Sequence, residues 1–193
     1  MLDVALNFLT AELNSYLLAR GARKATDEVG KAEVGRLVDD AGKWAIPDDH
    51  IGVTLVHVEE ERVLRDQLPE TVLSGGRQVV LPPKLKLNLH VLFAAKFQKY
   101  DESLRALSSV LTFFQARPTF TQDAYPALEP RIARLTMELQ SPTFDQLNQL
   151  WAYLGAKHLP SALYRVRMVA LQDAVPGDVQ VPITDIGTST GMR

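Results

Sequence analysis

Residues 84–97 read KLKLNLHVLFAAKF, and this stretch decides the fold class. Large apolar residues occur at every second position, which is the period of a β-strand with one buried face. The residues predicted on the buried face are Leu85, Leu87, Leu89, Val91 and Phe93. The residues predicted on the opposite face are Lys84, Lys86, Asn88 and His90. This is the clearest strand in the chain, and it predicts a sheet around which the other elements pack.

Other segments share the strand period. Ile51–Glu60 is apolar at both odd and even positions, which predicts a central strand covered on both sides. Ile132–Gln140 and Leu163–Leu171 predict two further strands, and Glu33–Val38 a possible short one. The strand Ile132–Gln140 is predicted to point Ala133, Leu135, Met137 and Leu139 inward.

Helical spacing predicts three helices. The first covers residues 3–20 with Asp3 as N-cap, and the second begins at an Asp101 cap and reaches Gln115. The third opens on a capping box, Thr143-x-x-Gln146, and ends at Gly155. The predicted buried stripe of the second helix is Leu104, Leu107, Leu111 and Phe114. The predicted apolar face of the third is Phe144, Leu147, Leu150, Trp151 and Leu154.

This order of elements predicts a single α/β domain over residues 1–172, with a mixed sheet of four to five strands and three helices. Two segments lie outside that frame. Residues 65–83 are expected to form a long connection, which is a usual place for functional loops. Residues 173–193 are expected to form an extended tail that contacts a partner through alternating Val179, Val181 and Ile183.

Composition excludes several classes of protein. The chain has 193 residues, no cysteine, a formal net charge of −2 and 46% hydrophobic residues. A disulfide scaffold, a thiolate metal site and a cysteine nucleophile are therefore excluded. The mild acidity argues against a strongly basic nucleic-acid binder. Asp3 and the interrupted apolar pattern of the first helix do not fit a secretion signal or a membrane span, so we expect a cytoplasmic location.

Motifs for catalysis are missing from the sequence. The four histidines, His50, His57, His90 and His158, lack metal-ligand spacing, although His57 and His90 could be cross-strand neighbours. Ser74-Gly75-Gly76-Arg77 lacks a phosphate-loop lysine and is interpreted as a loop tip. We therefore expect no catalytic, cofactor-binding or metal-binding residues, and no enzymatic activity.

Basic residues on the predicted strands suggest one functional hypothesis. The polar faces of the predicted strands carry a basic strip that could contact an acidic protein or nucleic acid. Its members are Lys84, Lys86, His90, Arg134, Arg165 and Arg167. The alternative is that these residues are ordinary exposed positions without a specific partner.

Three longer stretches carry a resemblance. They are GVTLVHVEEER (52–62), LNLHVLFAAKFQKYDESLRALSSVLTFFQ (87–115) and LTMELQSPTFDQLNQLWAYLGAKHLPSALYRVRM (135–168). Together they resemble the tail-terminator, or cap, family of extracellular contractile injection systems of the antifeeding-prophage and virulence-cassette type. The resemblance covers about residues 2–172, and longer members of the family have an additional C-terminal domain.

The resemblance implies an assembly role. Such proteins are similar to contractile phage tail terminators, which form a hexameric ring on the last layer of inner tube and sheath and stop polymerisation. The implied partners are copies of the chain, the inner tube protein and the sheath protein, and the implied particle is assembled in the cytoplasm. Nucleic acid and membrane are not implied. The alternatives are another tube- or sheath-completion adaptor, or a small enzyme or nucleic-acid-binding accessory protein that uses the basic strip.

Overall fold

A computed structural model describes residues 1–21, 30–61, 70–74, 77–81, 85–171 and 179–180. The helices in these ranges are α1 (Leu2–Ala19), α2 (Tyr100–Ala116) and α3 (Phe144–Leu154). The strands are β1 (Ala32–Val34), β2 (His50–Glu60), β3 (Glu70–Ser74), β4 (Arg77–Leu81), β5 (Leu85–Lys96), β6 (Thr119–Thr121), β7 (Arg134–Gln140), β8 (Ser161–Leu171) and β9 (Val179–Gln180).

Six strands form the main sheet in the order β1-β2-β5-β8-β7-β6. The β1–β2 pair is parallel and the other pairs are antiparallel, which confirms the predicted mixed sheet in an α/β fold. The strand count slightly exceeds the predicted four to five, because both edge strands are only three residues long. Strands this short leave little periodicity to detect.

A second sheet has the order β3-β4-β9. Residues 65–83, expected to form a long connection outside the α/β frame, contain β3 and β4, which form a hairpin in which Ser74 pairs with Arg77. Val179 of β9 pairs with Val79 of β4 in the same chain. Val181 and Ile183 lie outside the described residues. Residues 74–77 were interpreted as a loop tip, and residues 75–76 of that stretch also lie outside the described residues.

Two cores lie on opposite faces of the main sheet. The larger core, on what we call the α1–α2 face, combines those helices with Leu89, Val91 and Phe93 of β5. The smaller core, on the α3 face, combines Leu92 and Ala94 of the same strand with Trp151 and the segment around Leu37 and Ile46. Strand β5 is therefore buried on both faces near its C-terminal end, whereas its sequence predicted one buried face.

The register of β5 is straight while its neighbours are irregular. The pairing shifts between Leu55 and His57 on β2, and β8 inserts an extra residue opposite Leu87 and Leu89. Leu87 to Phe93 keep the predicted alternation and are buried at odd positions. The prediction that Leu85 is buried with them is wrong, since it is 43% exposed at the strand end, beyond the core.

Strand β2 is covered on both sides only in its first half. Ile51 and Val53 lie in the larger core, and Gly52 faces Leu37 and Ile46 on the other side. A Cβ on Gly52 would lie 2.8 Å from Leu37 Cδ2, so glycine permits this close approach. The prediction of two covered faces is thus confirmed for residues 51–53.

The predicted caps are confirmed for α3 and are wrong for α1 and α2. Thr143 and Gln146 form the predicted capping box, and Gly155 ends α3 with φ of 66°. Asp3 and Asp101 are not N-caps, because the helices begin one residue after Met1 and Lys99. Both aspartates lie in the first turn, where a negative charge also favours the helix dipole.

Burial corrects three predicted faces. Helix α2 buries Ser103, Val110, Phe113 and Phe114, while the predicted Leu104 is exposed. Strand β7 buries Leu135 and Met137 but exposes Ala133 and Leu139 at its ends. Phe144, predicted on the apolar face of α3, is 90% exposed at the first residue of the helix, about two turns before the buried Trp151. No helix of the described ranges is long and apolar enough to cross a bilayer.

Candidate partner-contact surfaces

Charged side chains form a row on the α3 face of the main sheet. Glu138 of β7 lies across from Arg165 of β8 in the pairing register. Arg165 Nε and Nη2 donate to Glu138 Oε2 at 3.0 and 2.7 Å. Arg167 Nη1 donates to Glu138 Oε1 at 3.0 Å, so that one carboxylate holds both guanidinium groups.

The row continues into a buried carboxylate on the other side of β8. Arg167 Nη2 donates to Glu61 Oε2 at 3.3 Å, and Asn88 Nδ2 donates to the same oxygen at 3.1 Å. Glu61 and Asn88 are both buried. His90 Nε2 lies 3.2 Å from Glu59 Oε2 at the margin of the row.

These contacts change the meaning of the predicted basic strip. Arg165 and Arg167 are paired with carboxylates of their own chain, and the side chain of each is about one third exposed (33% and 32%). Arg134 is exposed at the start of β7, opposite Thr121, and Lys86 is half-buried on β5. The side chain of Lys84 is outside the described residues. The part of the strip on β8 is therefore a charge-balanced row, and its contact with a partner stays a prediction.

The ion pairs shift the pKa of Glu138 and of Arg167. Burial alone would raise the pKa of Glu138, but the hydrogen bonds and charges of Arg165 and Arg167 outweigh that effect, so the pKa lies below its ordinary value. The same carboxylate raises the pKa of Arg167. Burial in the larger core raises the pKa of Tyr164 to about 12. All of these groups keep their ordinary charge states near neutral pH.

The two strand histidines are neighbours, as the spacing suggested. His57 pairs with His90 in the β2–β5 register, and the ring centroids lie 5.5 Å apart. They border a groove of about 330 Å³ under the first turns of α3, together with Gln140, Gln146 and Leu150. Within the described ranges, no three histidine or acidic side chains come together as a metal site would need.

Sequence reasoning missed two surface features. Phe144 and Tyr153 project from α3 and are 90% and 79% exposed. A second groove, of about 380 Å³, lies on the α1–α2 face near the β1 edge, and it is lined by Leu17, Gly30, Ile51, Phe97, Glu102, Arg105, Ala106 and Ser109. Only the three-dimensional packing reveals such a groove, since its residues come from four separate segments.

The comparison with protein families adds the decisive observation. Residues 5–185 match the family model described as the Pvc16 N-terminal domain. The chain belongs to the Pvc16 N-terminal domain family. This confirms the resemblance to the tail-terminator family seen in the sequence. No curated protein matches the chain significantly.

Two solved structures of contractile injection systems have the same fold as this Pvc16 N-terminal domain family member. One is the PVC sheath/tube terminator in the extended state, with a TM-score of 0.63 and 15% identity over 95% of this chain. The other is the tube terminating cap of the anti-feeding prophage, with a TM-score of 0.60 and 18% identity over 94% of this chain. The chain spans 63% and 60% of the lengths of those two proteins.

Proposed function

We propose that this protein is a structural cap of a phage-tail-like contractile injection particle and ends the growth of its inner tube and sheath. The observation that carries the proposal is the shared fold with a sheath/tube terminator, which extends over 95% of this chain. Membership of the Pvc16 N-terminal domain family supports it independently. A cap of this kind is not an enzyme, because it works by occupying the end of a polymer.

The proposed partners follow from that role. Copies of the chain form a closed ring, with six subunits as the expected number, and the ring binds the last layer of tube and sheath protein. The particle is assembled in the cytoplasm and is later released or retained. Ring closure requires two different surfaces on each subunit, because the contact is head-to-tail.

We propose two regions for contacts to partners. The first is the predicted basic strip, whose members are Lys84, Lys86, His90, Arg134, Arg165 and Arg167. The second is the C-terminal segment with Val179, Val181 and Ile183, whose apolar residues alternate. In the described part of this segment, Val179 and Gln180 pair with Val79 and Gln78 of the same chain, in the smaller sheet and not in the main one. A chain truncated after Asp178 should therefore keep its main sheet and lose capping efficiency.

The direct test measures particle length. Particles assembled without this chain should show tails of irregular length in electron micrographs, and the wild-type chain supplied in trans should restore a uniform length. Immunogold labelling should place the chain at the end opposite the baseplate. Uniform particles in its absence would refute the cap function. Label distributed along the shaft would instead favour a tube- or sheath-completion adaptor.

A nucleic-acid-binding role has less support from the geometry. The guanidinium groups of Arg165 and Arg167 are already held by Glu138 and Glu61, so they are poorly placed to neutralise phosphates. Retention on a DNA column with strong salt dependence would contradict this interpretation.

A further inference from the structure

The ends of α1 and α2 bring two arginines onto one aromatic ring. The guanidinium carbon of Arg20 lies 5.1 Å from the ring centroid of Tyr16, and that of Arg117 lies 5.6 Å from it. Arg117 also lies 5.4 Å from the ring centroid of Phe113, which packs against Tyr16. The two positive charges are therefore no farther apart than the sum of their distances to one ring. We call Arg20 and Arg117 the Tyr16 arginine pair.

Helix geometry and ring contacts hold this pair in place. Arg20 and Arg117 are the C-cap residues of their helices, where the helix dipole favours a positive charge. Tyr16 is half-buried and packs against the larger core, so the ring that both arginines contact is itself supported. A cation–π contact attracts the charge but offers no acceptor oxygen to the N–H donors of the guanidinium group. The contacts therefore position the two groups without satisfying their donors.

Carboxylates are missing around the pair in the described part of the chain. Both arginines are exposed, and neither forms an ion pair with a described residue. Glu12 lies one turn before Tyr16 on α1 and contacts neither guanidinium group at ion-pair distance. Most other described arginines do contact a carboxylate of their own chain, namely Arg36, Arg105, Arg131, Arg165 and Arg167. The Tyr16 arginine pair is thus a local excess of positive charge.

The small extent of the pair favours an acidic protein segment over nucleic acid. A carboxylate fits the planar fork of a guanidinium group through paired hydrogen bonds. Two guanidinium groups beside one ring therefore suit two acidic side chains on a single short segment. A nucleic-acid backbone is instead usually bound along an extended basic stripe, and the formal net charge of this chain is −2.

The acidic clusters of this chain are already used within it. In the described ranges they are residues 39–40, 48–49, 59–61 and 101–102. Each of these clusters contacts basic side chains or backbone N–H groups of the same chain. A second copy therefore offers no free pair of neighbouring carboxylates in these ranges, which favours a different protein as the partner.

We propose that the Tyr16 arginine pair binds an acidic segment of another protein of the particle, with a carboxylate on each guanidinium group. The surface lies on the helices of the α1–α2 face and is separate from the charge-balanced row of the α3 face. The inference deepens the proposed cap function, on which it rests, by adding a contact surface and the chemistry of its partner.

Carbodiimide cross-linking of assembled particles tests which carboxylates lie at this surface. Arg20→Lys and Arg117→Lys keep the charge and supply an amine that the reagent joins to a touching carboxylate. We expect mass spectrometry to find links from both positions to aspartates or glutamates of a different protein. Lys99, whose Nζ lies 3.4 Å from Glu102 Oε1, shows that the reagent has reacted. Links only to Glu12 or to another copy of this chain, or no links once Lys99 has reacted, would overturn the proposal.

Charge reversal measures how much the surface contributes to binding. Arg20→Glu with Arg117→Glu should lower the amount of this chain recovered in purified particles by about tenfold or more, as for the loss of charge-paired contacts. Arg36→Glu with Arg131→Glu is the matched control, because it changes the charge equally at two exposed arginines that are already paired. An equal loss in both double variants would overturn the proposal. Thermal unfolding should show that both variants keep the fold.

Two further measurements separate this contact from its alternatives. A DNA oligonucleotide that binds the purified chain but not the Arg20→Glu, Arg117→Glu variant would overturn the proposal in favour of a phosphate-binding surface. Particles of uniform length without this chain would refute the cap function, whereas cross-links at positions 20 and 117 would still identify an acidic partner. A chain found at the end of the particle without such links would keep the cap function and overturn only this contact.

Discussion

Substitutions at three positions on β5 test which of its side chains are buried. Leu89 is fully buried in the larger core, and Leu89→Ala should lower the free energy of unfolding by about 2–5 kcal/mol. The loss combines the transfer free energy of the removed methyl groups with the cavity that they leave. Leu85→Ala removes the same atoms at the exposed end of the strand, and it should cost less than about 1 kcal/mol.

Asn88→Ala tests whether the polar face of this strand is covered. A solvent-exposed asparagine would lose under about 1 kcal/mol, but Asn88 is 3% exposed and donates to the buried carboxylate of Glu61. Its Oδ1 has no hydrogen-bond partner among the described residues, and removing that atom recovers part of the loss. The expected cost is therefore about 1–3 kcal/mol, between those of the two leucine variants.

Urea unfolding, followed by tryptophan fluorescence and far-UV circular dichroism, measures these differences. The transition midpoints should fall in the order wild type, Leu85→Ala, Asn88→Ala and Leu89→Ala, with m values that stay constant. Equal losses at Leu85 and Leu89 would refute the burial pattern of β5. A neutral Asn88→Ala would instead show that the link to Glu61 is not formed in solution.

Other predictions concern core packing, an ion pair and a helix cap. Gly52→Val should destabilise the fold by about 1–3 kcal/mol in the same assay, because its side chain would collide with Leu37 and Ile46. Glu138 has a lowered pKa in the folded protein, so its charged form stabilises the folded state. Glu138→Gln should therefore lower the free energy of unfolding by its full amount above the ordinary carboxyl pKa. This loss of stability should disappear as the pH falls through the lowered pKa of the folded state. A deficit unchanged by acid would contradict the ion pairs. Thr143→Ala should cost about 0.5–2 kcal/mol, while Thr143→Ser should retain most of the stability.

Periodic segments and local caps could be predicted from the sequence. The alternation in β5 gave its face assignment for all positions from Leu87 to Phe93, because a strand buried on its core face needs a large apolar residue every second position. The capping box at Thr143 and the C-cap at Gly155 depend on contacts within one helical turn, so the sequence predicted them as well. Local chemistry determines such features almost entirely.

The buried face of α2 could be predicted only in part. Phe114 is buried as predicted, and Leu107 and Leu111 pack half-buried against the larger core, but Leu104 is exposed and the buried Ser103 breaks the apolar pattern. Phe113 and Phe114 pack against aromatic residues that are distant in the chain. Phe114, for example, packs with its ring centroid 5.0 Å from that of Tyr164. Such packing depends on tertiary contacts that periodicity does not encode.

The pairing of the charged residues in the candidate contact surfaces could not be predicted from the sequence either. Alternation correctly places Arg165 and Arg167 on the outer face of β8, but their electrostatic meaning depends on which strand lies next to it and in what register. With β7 paired so that Glu138 faces Arg165, the charges cancel within the sheet. A charge-balanced row gives little long-range attraction. A partner that bound the proposed cap at this row would therefore have to be recognised through shape and desolvated contacts more than through net charge.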